Sequence, residues 1–167
     1  RERPGSCFWV EIPAPQAKAE APRPAPSPDA RSGPGLSGRV LIVDDYPVNR
    51  ELVRLFIGSP DVTTAEADNG QMAIDRAMAE PFDLILMDVN MPVMDGLAAT
   101  SAIRASCPLN ADTPIIALTA QTGAEIEEKC FAAGMDAVLA KPIAHRDLLA
   151  LAAQAMGPEA KARIAAA

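Results

Sequence analysis

Residues 82–96 read FDLILMDVNMPVMDG, an apolar run that ends in an acid, Asp88, followed by a Met-Pro turn that ends in a second acid, Asp95. An unpaired, ionised carboxylate costs several kcal/mol or more when it is buried. An acid at the end of such a run is therefore protonated, paired with a cation or used in chemistry. Three further apolar runs, at 39–45, 113–120 and 135–141, and a more polar one, at 61–67, complete a set of five.

The five runs alternate with stretches of helical periodicity. Apolar runs of this length, bounded by turn residues, are typical of strands covered on both faces, as in a parallel sheet. Pro47 suits the first turn of the first helix. The predicted helices cover 47–56, 70–79, 96–106, 122–133 and 144–156, and we expect their Met and Ala side chains in the core. This order predicts an α/β fold, a doubly wound five-stranded parallel sheet of (βα)5 type.

Composition divides the chain into a proline-rich N-terminal leader, before Arg39, and an acidic domain. The 167 residues suffice for one domain with tails, and eight of the 16 prolines precede Arg39, so the leader is not expected to be globular. Residues 39–156 carry 8 Lys/Arg and 17 Asp/Glu, a net charge of 8 − 17 = −9. Direct binding to nucleic acid is disfavoured, because it needs a basic patch. The lack of a long apolar run predicts a cytoplasmic protein without a membrane span or signal peptide.

Two further features of composition are interpreted as non-functional. Cys7, Cys107 and Cys130 lack the spacing of metal ligands, so we predict free thiols in a reducing cytosol, with Cys130 packed in the core. The glycine-rich segment SGPGLSG (32–38) precedes the first strand instead of following it. It is therefore predicted to be a linker and not a dinucleotide-binding loop.

Polar residues stand at the carboxyl ends of the predicted strands, where doubly wound sheets collect their chemistry. Asp44 and Asp45 end the first strand, Asp88 the third, Thr119 the fourth and Lys141 the fifth. Three neighbouring carboxylates raise one another's pKa, and a hard divalent cation relieves the repulsion. Mg²⁺ suits such oxygen ligands and commonly completes its shell with a phosphate oxygen.

The same set of residues suits phosphoryl transfer. Lys141 supplies a point charge and Thr119 a hydroxyl donor for an incoming phosphoryl group, whose transfer depends on positioning and charge neutralisation. One of the three aspartates would then be the nucleophile that forms an aspartyl phosphate. Asp95 precedes Gly96 and a helix, so an N-cap is favoured over a metal ligand. His145, the sole histidine, opens a helix, which favours a surface or capping role.

Four segments resemble the receiver domains of two-component response regulators, in the family's order and spacing. They are VLIVDDYPVNR (40–50), LILMDVNMPVMDG (84–96), TPIIALTA (113–120) and AKPI (140–143). The resemblance covers about residues 39–156. It implies a flavodoxin-like (CheY-like) fold and a domain that takes a phosphoryl group onto Asp88. The donor would be the phosphohistidine of a kinase domain or of a histidine phosphotransfer protein.

The resemblance also implies a role for each residue of the site. The implied Mg²⁺ ligands are Asp44, Asp45, Asp88 and the backbone carbonyl of Asn90. Thr119 would be the switch hydroxyl, and Lys141 would bind the phosphoryl group and precede a cis peptide bond to Pro142. The side chains of Asn90 and Gln121 stand where the family tunes phosphate lifetime. Val138 departs from the family, because receivers usually place a Tyr or Phe there.

The opening residues carry a second resemblance. GSCFWVEIP (5–13) is similar to the end of a sensor histidine kinase ATPase domain, although Arg3 replaces the first Gly of the element. We therefore predict a remnant of that domain at 1–13, a Pro/Ala-rich linker at 14–38, a receiver at 39–156 and a tail at 157–167. This order is that of a hybrid histidine kinase, and the chain is interpreted as its C-terminal piece.

Several alternatives stay open at this point. A pseudo-receiver would regulate a neighbouring kinase by binding alone, and Val138 is its one support in the sequence. An aspartyl-phosphate hydrolase would use a first-strand acid as nucleophile, and needs a cap for which the chain has little length. Flavin binding is disfavoured by the acidic loop DDYPVN (44–49). A homodimer through the fourth and fifth helices is neither predicted nor excluded.

Overall fold

The structure, a computed structural model, describes residues 36–157, which alternate between five strands and five helices. The strands are β1 (Gly38–Val43), β2 (Val62–Ala67), β3 (Leu84–Asp88), β4 (Ile115–Thr119) and β5 (Ala137–Ala140). The helices are α1 (Pro47–Ile57), α2 (Gly70–Ala79), α3 (Gly96–Ser106), α4 (Ala124–Ala132) and α5 (His145–Met156). The predicted (βα)5 order is confirmed, with most of the elements shorter by one or two residues at an end.

All five strands are parallel and lie in the order β2-β1-β3-β4-β5. The chain reverses its direction of winding after β2, so helices cover both faces of the sheet. One apolar cluster lies under α2, α3 and α4, and a second lies under α1 and α5. Two of the three interior strands, β3 and β4, are buried along their whole length, which explains their continuous apolar sequences.

Helix α2 contradicts one expectation about the core. Its buried stripe consists of Gly70, Ala73, Ile74 and Ala77, whereas Met72 is 36% and Met78 57% exposed. The expectation that the helical Met and Ala side chains lie in the core is therefore wrong for these two residues, and also for exposed alanines such as Ala79 and Ala98. The small residues let α2 approach α3 closely, since a Cβ added at Gly70 would lie 2.9 Å from the Cβ of Ala99.

The folded domain begins closer to the N-terminus than the predicted boundary at residue 39. β1 begins at Gly38, and Leu36 is buried in the cluster under α1 and α5 although it falls in the predicted linker. Gly38 has φ 132°, and an added Cβ would lie 2.3 Å from Oδ2 of Asp83, so a side chain is excluded there.

Other predictions fall partly outside the described residues. The ATPase-domain remnant, Cys7, the linker up to residue 35 and the tail from residue 158 lie outside them, so the predicted domain boundaries stay predictions. Cys107 and Cys130 are free and buried, as expected. Within residues 36–157, no helix is both long and apolar enough to span a bilayer.

Candidate functional site

The carboxyl edge of the sheet gathers the polar residues that the sequence placed at strand ends. Asp44 and Asp45 follow β1, and Asp88 is the last residue of the neighbouring strand β3. One carboxylate oxygen of each of these three aspartates lies within 4.8 Å of the others. Asp44 and Asp88 are almost fully buried. The three acids therefore form one cluster, which we call the acid pocket.

Lys141 enters the acid pocket from the end of β5. Its Nζ lies 2.7 Å from Oδ2 of Asp44 and 2.8 Å from Oδ2 of Asp88, so one ammonium bridges two carboxylates. The Lys141 backbone is fixed by a hydrogen bond from its N–H to the carbonyl of Thr119 (2.7 Å). The peptide bond between Lys141 and Pro142 is cis, as the resemblance implied.

Asp44 is surrounded by donors from its own loop. Its Oδ1 accepts from the Tyr46 N–H (2.9 Å), and both of its oxygens lie within hydrogen-bond distance of Nδ2 of Asn49 (3.0 and 3.1 Å). Nη1 of Arg50 donates to its backbone carbonyl (2.7 Å). With Lys141 added, the protein itself satisfies this carboxylate. The sequence analysis missed Asn49, whose only signal was a polar residue in the first turn of a helix that follows the acids.

Asp45 contrasts with Asp44. Its Oδ1 is buried and has no hydrogen-bond partner among residues 36–157. A buried carboxylate oxygen without a donor is unfavourable unless a cation binds it. The protein thus supplies three carboxylates and a single bridging ammonium, which leaves net negative charge. This donor set fits a small divalent cation with a preference for oxygen ligands.

Asp88 is held against the loop that follows it. The Asn90 N–H donates to its Oδ1 at 3.3 Å, and Gly96 packs on its carbonyl group. Burial raises the pKa of Asp88, and the hydrogen bond and charge of Lys141 offset this increase only in part. The negative charge of Asp44 adds to the increase. An ionised Asp88 is therefore costly in the metal-free domain.

The pKa of Lys141 is raised as well. Burial opposes its charge, but the hydrogen bonds and charges of Asp44 and Asp88 outweigh burial. Lys141 consequently stays protonated at neutral pH and keeps a fixed positive charge beside Asp88. A fixed charge at this place can neutralise an anionic group that approaches the Asp88 carboxylate.

The other predicted site residues differ in burial. Thr119 is fully buried, and its Oγ1 accepts a hydrogen bond from the Gln121 N–H (3.0 Å). No hydrogen bond in the described part of the chain joins Thr119 to Asp88. The side chains of Asn90 and Gln121 are exposed, and Val138 is partly buried against the cluster under α2, α3 and α4.

Two residues near the site have structural contacts. Oδ1 of Asp95 accepts from the Ala98 N–H (2.8 Å), which confirms the predicted N-cap of α3. His145 is exposed at the start of α5, and its Nε2 lies 3.2 Å from the Phe56 carbonyl, to which it donates. That carbonyl belongs to the last turn of α1, so His145 links α5 to the end of a different helix.

Residues 40–153 match the family model described as the response regulator receiver domain. The chain belongs to this family. The match spans every strand except the first two residues of β1, and it includes the acid pocket, Thr119 and Lys141.

Curated relatives of this receiver are much longer proteins. The sensor histidine kinase GacS of Pseudomonas protegens is 40% identical over 130 residues, which cover 72% of this chain and 14% of GacS. The signal transduction histidine-protein kinase BarA of Escherichia coli K12 is 43% identical over 108 residues, 65% of this chain and 12% of BarA. The receiver thus corresponds to about one-seventh of the length of such kinases.

Solved structures share the fold of this receiver. The chemotaxis protein CheY4 of Vibrio cholerae has a TM-score of 0.67 and 32% identity, over 72% of this chain and 99% of that one. The receiver domain of the sensor histidine kinase PA1611 from Pseudomonas aeruginosa has a TM-score of 0.66 and 32% identity, over 73% and 99%. The PA1611 structure contains a magnesium ion coordinated in its active site cleft. The predicted CheY-like, flavodoxin-like fold is confirmed.

Proposed function

We propose that this receiver takes a phosphoryl group from a phosphohistidine onto Asp88. The observation that carries the proposal is the environment of the Asp88 carboxylate, which lies at the carboxyl edge of the sheet with Lys141 Nζ 2.8 Å from Oδ2. Asp44 is a poorer nucleophile, because Tyr46, Asn49 and Lys141 already occupy its oxygens. The pseudo-receiver alternative has no comparable support, since the acid pocket and Lys141 are intact.

A divalent cation would be held by Asp45 and Asp88, with the Asn90 carbonyl as a further ligand and Asp44 beside them. We propose Mg²⁺, which would neutralise the carboxylates and the charge on the phosphoryl oxygens when bound. The buried Oδ1 of Asp45, which lacks a partner among the described residues, supports this assignment. The magnesium ion reported for the PA1611 receiver supports it by similarity.

In the transfer step, the chain mainly has to position the reacting groups and neutralise the charge of the phosphoryl oxygens. A carboxylate oxygen of Asp88 attacks phosphorus, the new P–O bond forms, and the P–N bond breaks with its electron pair leaving on the imidazole nitrogen of the donor. Lys141 then pairs with a phosphoryl oxygen instead of Asp88. The Thr119 hydroxyl, now bonded to the Gln121 N–H, would turn to donate to a second phosphoryl oxygen.

The proposal extends to the larger protein that contains this receiver and to its partners. The relatives named above are histidine kinases, so we propose that this receiver belongs to a hybrid sensor histidine kinase of a two-component phosphorelay, facing the cytoplasm. Its partners would be the phosphohistidine domain of that kinase or a separate histidine phosphotransfer protein. The chain itself would accept and slowly lose its own aspartyl phosphate.

Incubation with a small phosphodonor tests the function without a protein partner. With phosphoramidate and MgCl₂, the wild-type chain should gain the mass of one phosphoryl group, and hydroxylamine should remove it, as expected of an acyl phosphate. Asp88→Asn should abolish the adduct. Asp95→Asn is the matched control in the same loop and should retain it. An unchanged wild-type mass, or an adduct that persists in Asp88→Asn, would reject the proposal.

A further inference from the structure

Arg50 connects the loop of the acid pocket to an edge strand of the sheet. Its Nη1 donates to the backbone carbonyl of Asp44 (2.7 Å), and its Nε donates to Oε2 of Glu66 (2.9 Å). Arg50 lies in the first turn of α1 and Glu66 in β2, which is the outermost strand on its side of the sheet. Because the guanidinium is planar and rigid, it holds these two acceptors in a fixed relation to each other.

The backbone of Asp44 is held on both sides by the end of β2. Its N–H donates to the carbonyl of Ala67, the last residue of β2 (3.2 Å). Its carbonyl accepts from Arg50, which is paired in turn with Glu66. That carbonyl belongs to the planar peptide group between Asp44 and Asp45. Fixing the plane of this group restricts the direction in which the Asp45 side chain leaves the backbone.

The side chains of the two adjacent aspartates are supported differently. The oxygens of Asp44 accept from three donors, namely Tyr46 N–H, Asn49 Nδ2 and Lys141 Nζ. The buried Oδ1 of Asp45 has no hydrogen-bond partner among residues 36–157. The position of this oxygen therefore depends on the backbone that carries it, and a shift of the peptide group would displace a proposed metal ligand.

We propose that Arg50 is a positioning residue for the metal site, which with Glu66 fixes the peptide group before Asp45 and so orients Asp45 toward Mg²⁺; this rests on the proposed function. The side chain of Arg50 is 16% exposed and that of Glu66 is 40% exposed, so the pair is partly shielded from water. Residues behind the ligands of a metal site commonly change its affinity by about 10- to 100-fold.

The charge of Arg50 cannot account for an increase in metal affinity. A cation beside the acid pocket repels a divalent metal ion, so charge alone would make Mg²⁺ binding stronger without Arg50. Arg50→Lys keeps the positive charge but replaces the guanidinium by a single ammonium nitrogen, which cannot occupy the places of both donors. A loss of Mg²⁺ affinity in Arg50→Lys therefore reports position and not charge.

The experiment compares variants of equal charge in the full chain. Arg50→Lys is compared with the wild type. Glu66→Ala is compared with Glu66→Gln, because both lack the carboxylate charge but only glutamine keeps an acceptor for Nε of Arg50. Arg54→Lys is the matched control on the same helix. Arg54 also donates through two nitrogens to one glutamate, Glu51 (2.9 and 2.6 Å), but that pair is exposed and has no contact with the acid pocket.

Calorimetric titration with MgCl₂ measures the affinity directly. We expect Arg50→Lys to bind Mg²⁺ about tenfold more weakly than the wild type, and Arg54→Lys to bind like the wild type. Glu66→Ala should bind about fivefold more weakly than Glu66→Gln, the effect of one ordinary hydrogen bond.

Labelling by phosphoramidate separates positioning from a loss of folded protein. Arg50→Lys should need about tenfold more MgCl₂ for half-maximal labelling and should reach the wild-type rate when MgCl₂ saturates. Partial unfolding would instead lower the maximal labelling without this shift, and that result would overturn the inference.

Equal Mg²⁺ affinities in Arg50→Lys and the wild type, or in Glu66→Ala and Glu66→Gln, would also overturn the inference, as would an equal loss in Arg54→Lys. Absence of Mg²⁺ binding by the wild type would reject the proposed metal site and the inference with it. Mg²⁺ binding without any labelling of the wild type would reject Asp88 as the acceptor, while the calorimetry would still decide the role of Arg50.

Discussion

Nζ of Lys141 lies 2.8 Å from Oδ2 of Asp88, although 53 residues (141 − 88) separate the two in sequence and they end different strands. β4 lies between their strands, so the lysine reaches across one strand to meet the aspartate. The same ammonium also pairs with Asp44. The ionised form of the acid pocket therefore depends on a single side chain.

Replacing Lys141 by methionine should destabilise the metal-free domain by about 3 kcal/mol, because removal of one partner leaves buried carboxylates without a counter-charge. Millimolar MgCl₂ should recover much of the loss by binding the same carboxylates. Urea unfolding with and without MgCl₂ measures both effects. Lys129→Met is the control, since its pair with Glu125 is exposed and should contribute nothing measurable. Equal stability of the Lys141 and Lys129 variants would contradict the prediction.

The two adjacent aspartates should respond differently to neutralisation. Asp45→Asn should weaken Mg²⁺ binding by at least about tenfold while leaving metal-free stability unchanged or increased, because it removes the charge of a carboxylate whose buried Oδ1 lacks a donor. Asp44→Asn should instead cost about 2 kcal/mol, because Lys141 and Asn49 lose a charged acceptor. Calorimetric titration with MgCl₂ and urea unfolding in EDTA measure the two quantities. Equal losses of Mg²⁺ affinity and of metal-free stability in the two variants would contradict the prediction.

The raised pKa of Asp88 predicts that the stability of the domain depends on pH in metal-free buffer. Its pKa is raised above the unfolded value of 3.8, so the folded state favours the protonated form. The stability that Asp88 contributes is complete below the unfolded pKa and is lost as pH rises through the folded pKa. Asp88→Asn, which cannot ionise, should therefore melt higher than wild type at pH 7 in EDTA, and the difference should vanish towards pH 3.8. A lower melting temperature for Asp88→Asn at pH 7 would contradict the raised pKa.

The sequence predicted those features that depend on the order of residues along the chain. Four apolar runs and one more polar run determine the strands, and parallel winding places the carboxyl end of every strand on one edge. Asp44, Asp45, Asp88 and Lys141 were therefore predictable as neighbours before any coordinates were known.

Features that depend on the path of the folded chain were not predictable. Met72 and Met78 have the apolar character of core residues, but the buried stripe of α2 runs along Gly70, Ala73 and Ala77. Leu36 lies in a glycine-rich segment, and its burial depends on the apolar cluster under α1 and α5. The positive φ of Val93 arises because contacts on both sides hold its loop. A valine at this position does not indicate a positive φ, as a glycine or an asparagine would.

Gly96 should be the glycine least tolerant of a side chain near the site. A Cβ there would lie 2.1 Å from the carbonyl oxygen of Asp88, a backbone atom that cannot move without displacing the proposed phospho-acceptor. Gly96→Ala should therefore cost about 3 kcal/mol and also slow labelling by phosphoramidate. Gly123→Ala is the matched control: Gly123 has φ 125° but nothing within 4 Å of an added Cβ. It should cost only the backbone strain, about 2 kcal/mol, with labelling retained. Urea unfolding and mass spectrometry on both variants separate steric exclusion from dihedral strain, and a Gly123→Ala loss that matched Gly96→Ala would rule out the steric explanation.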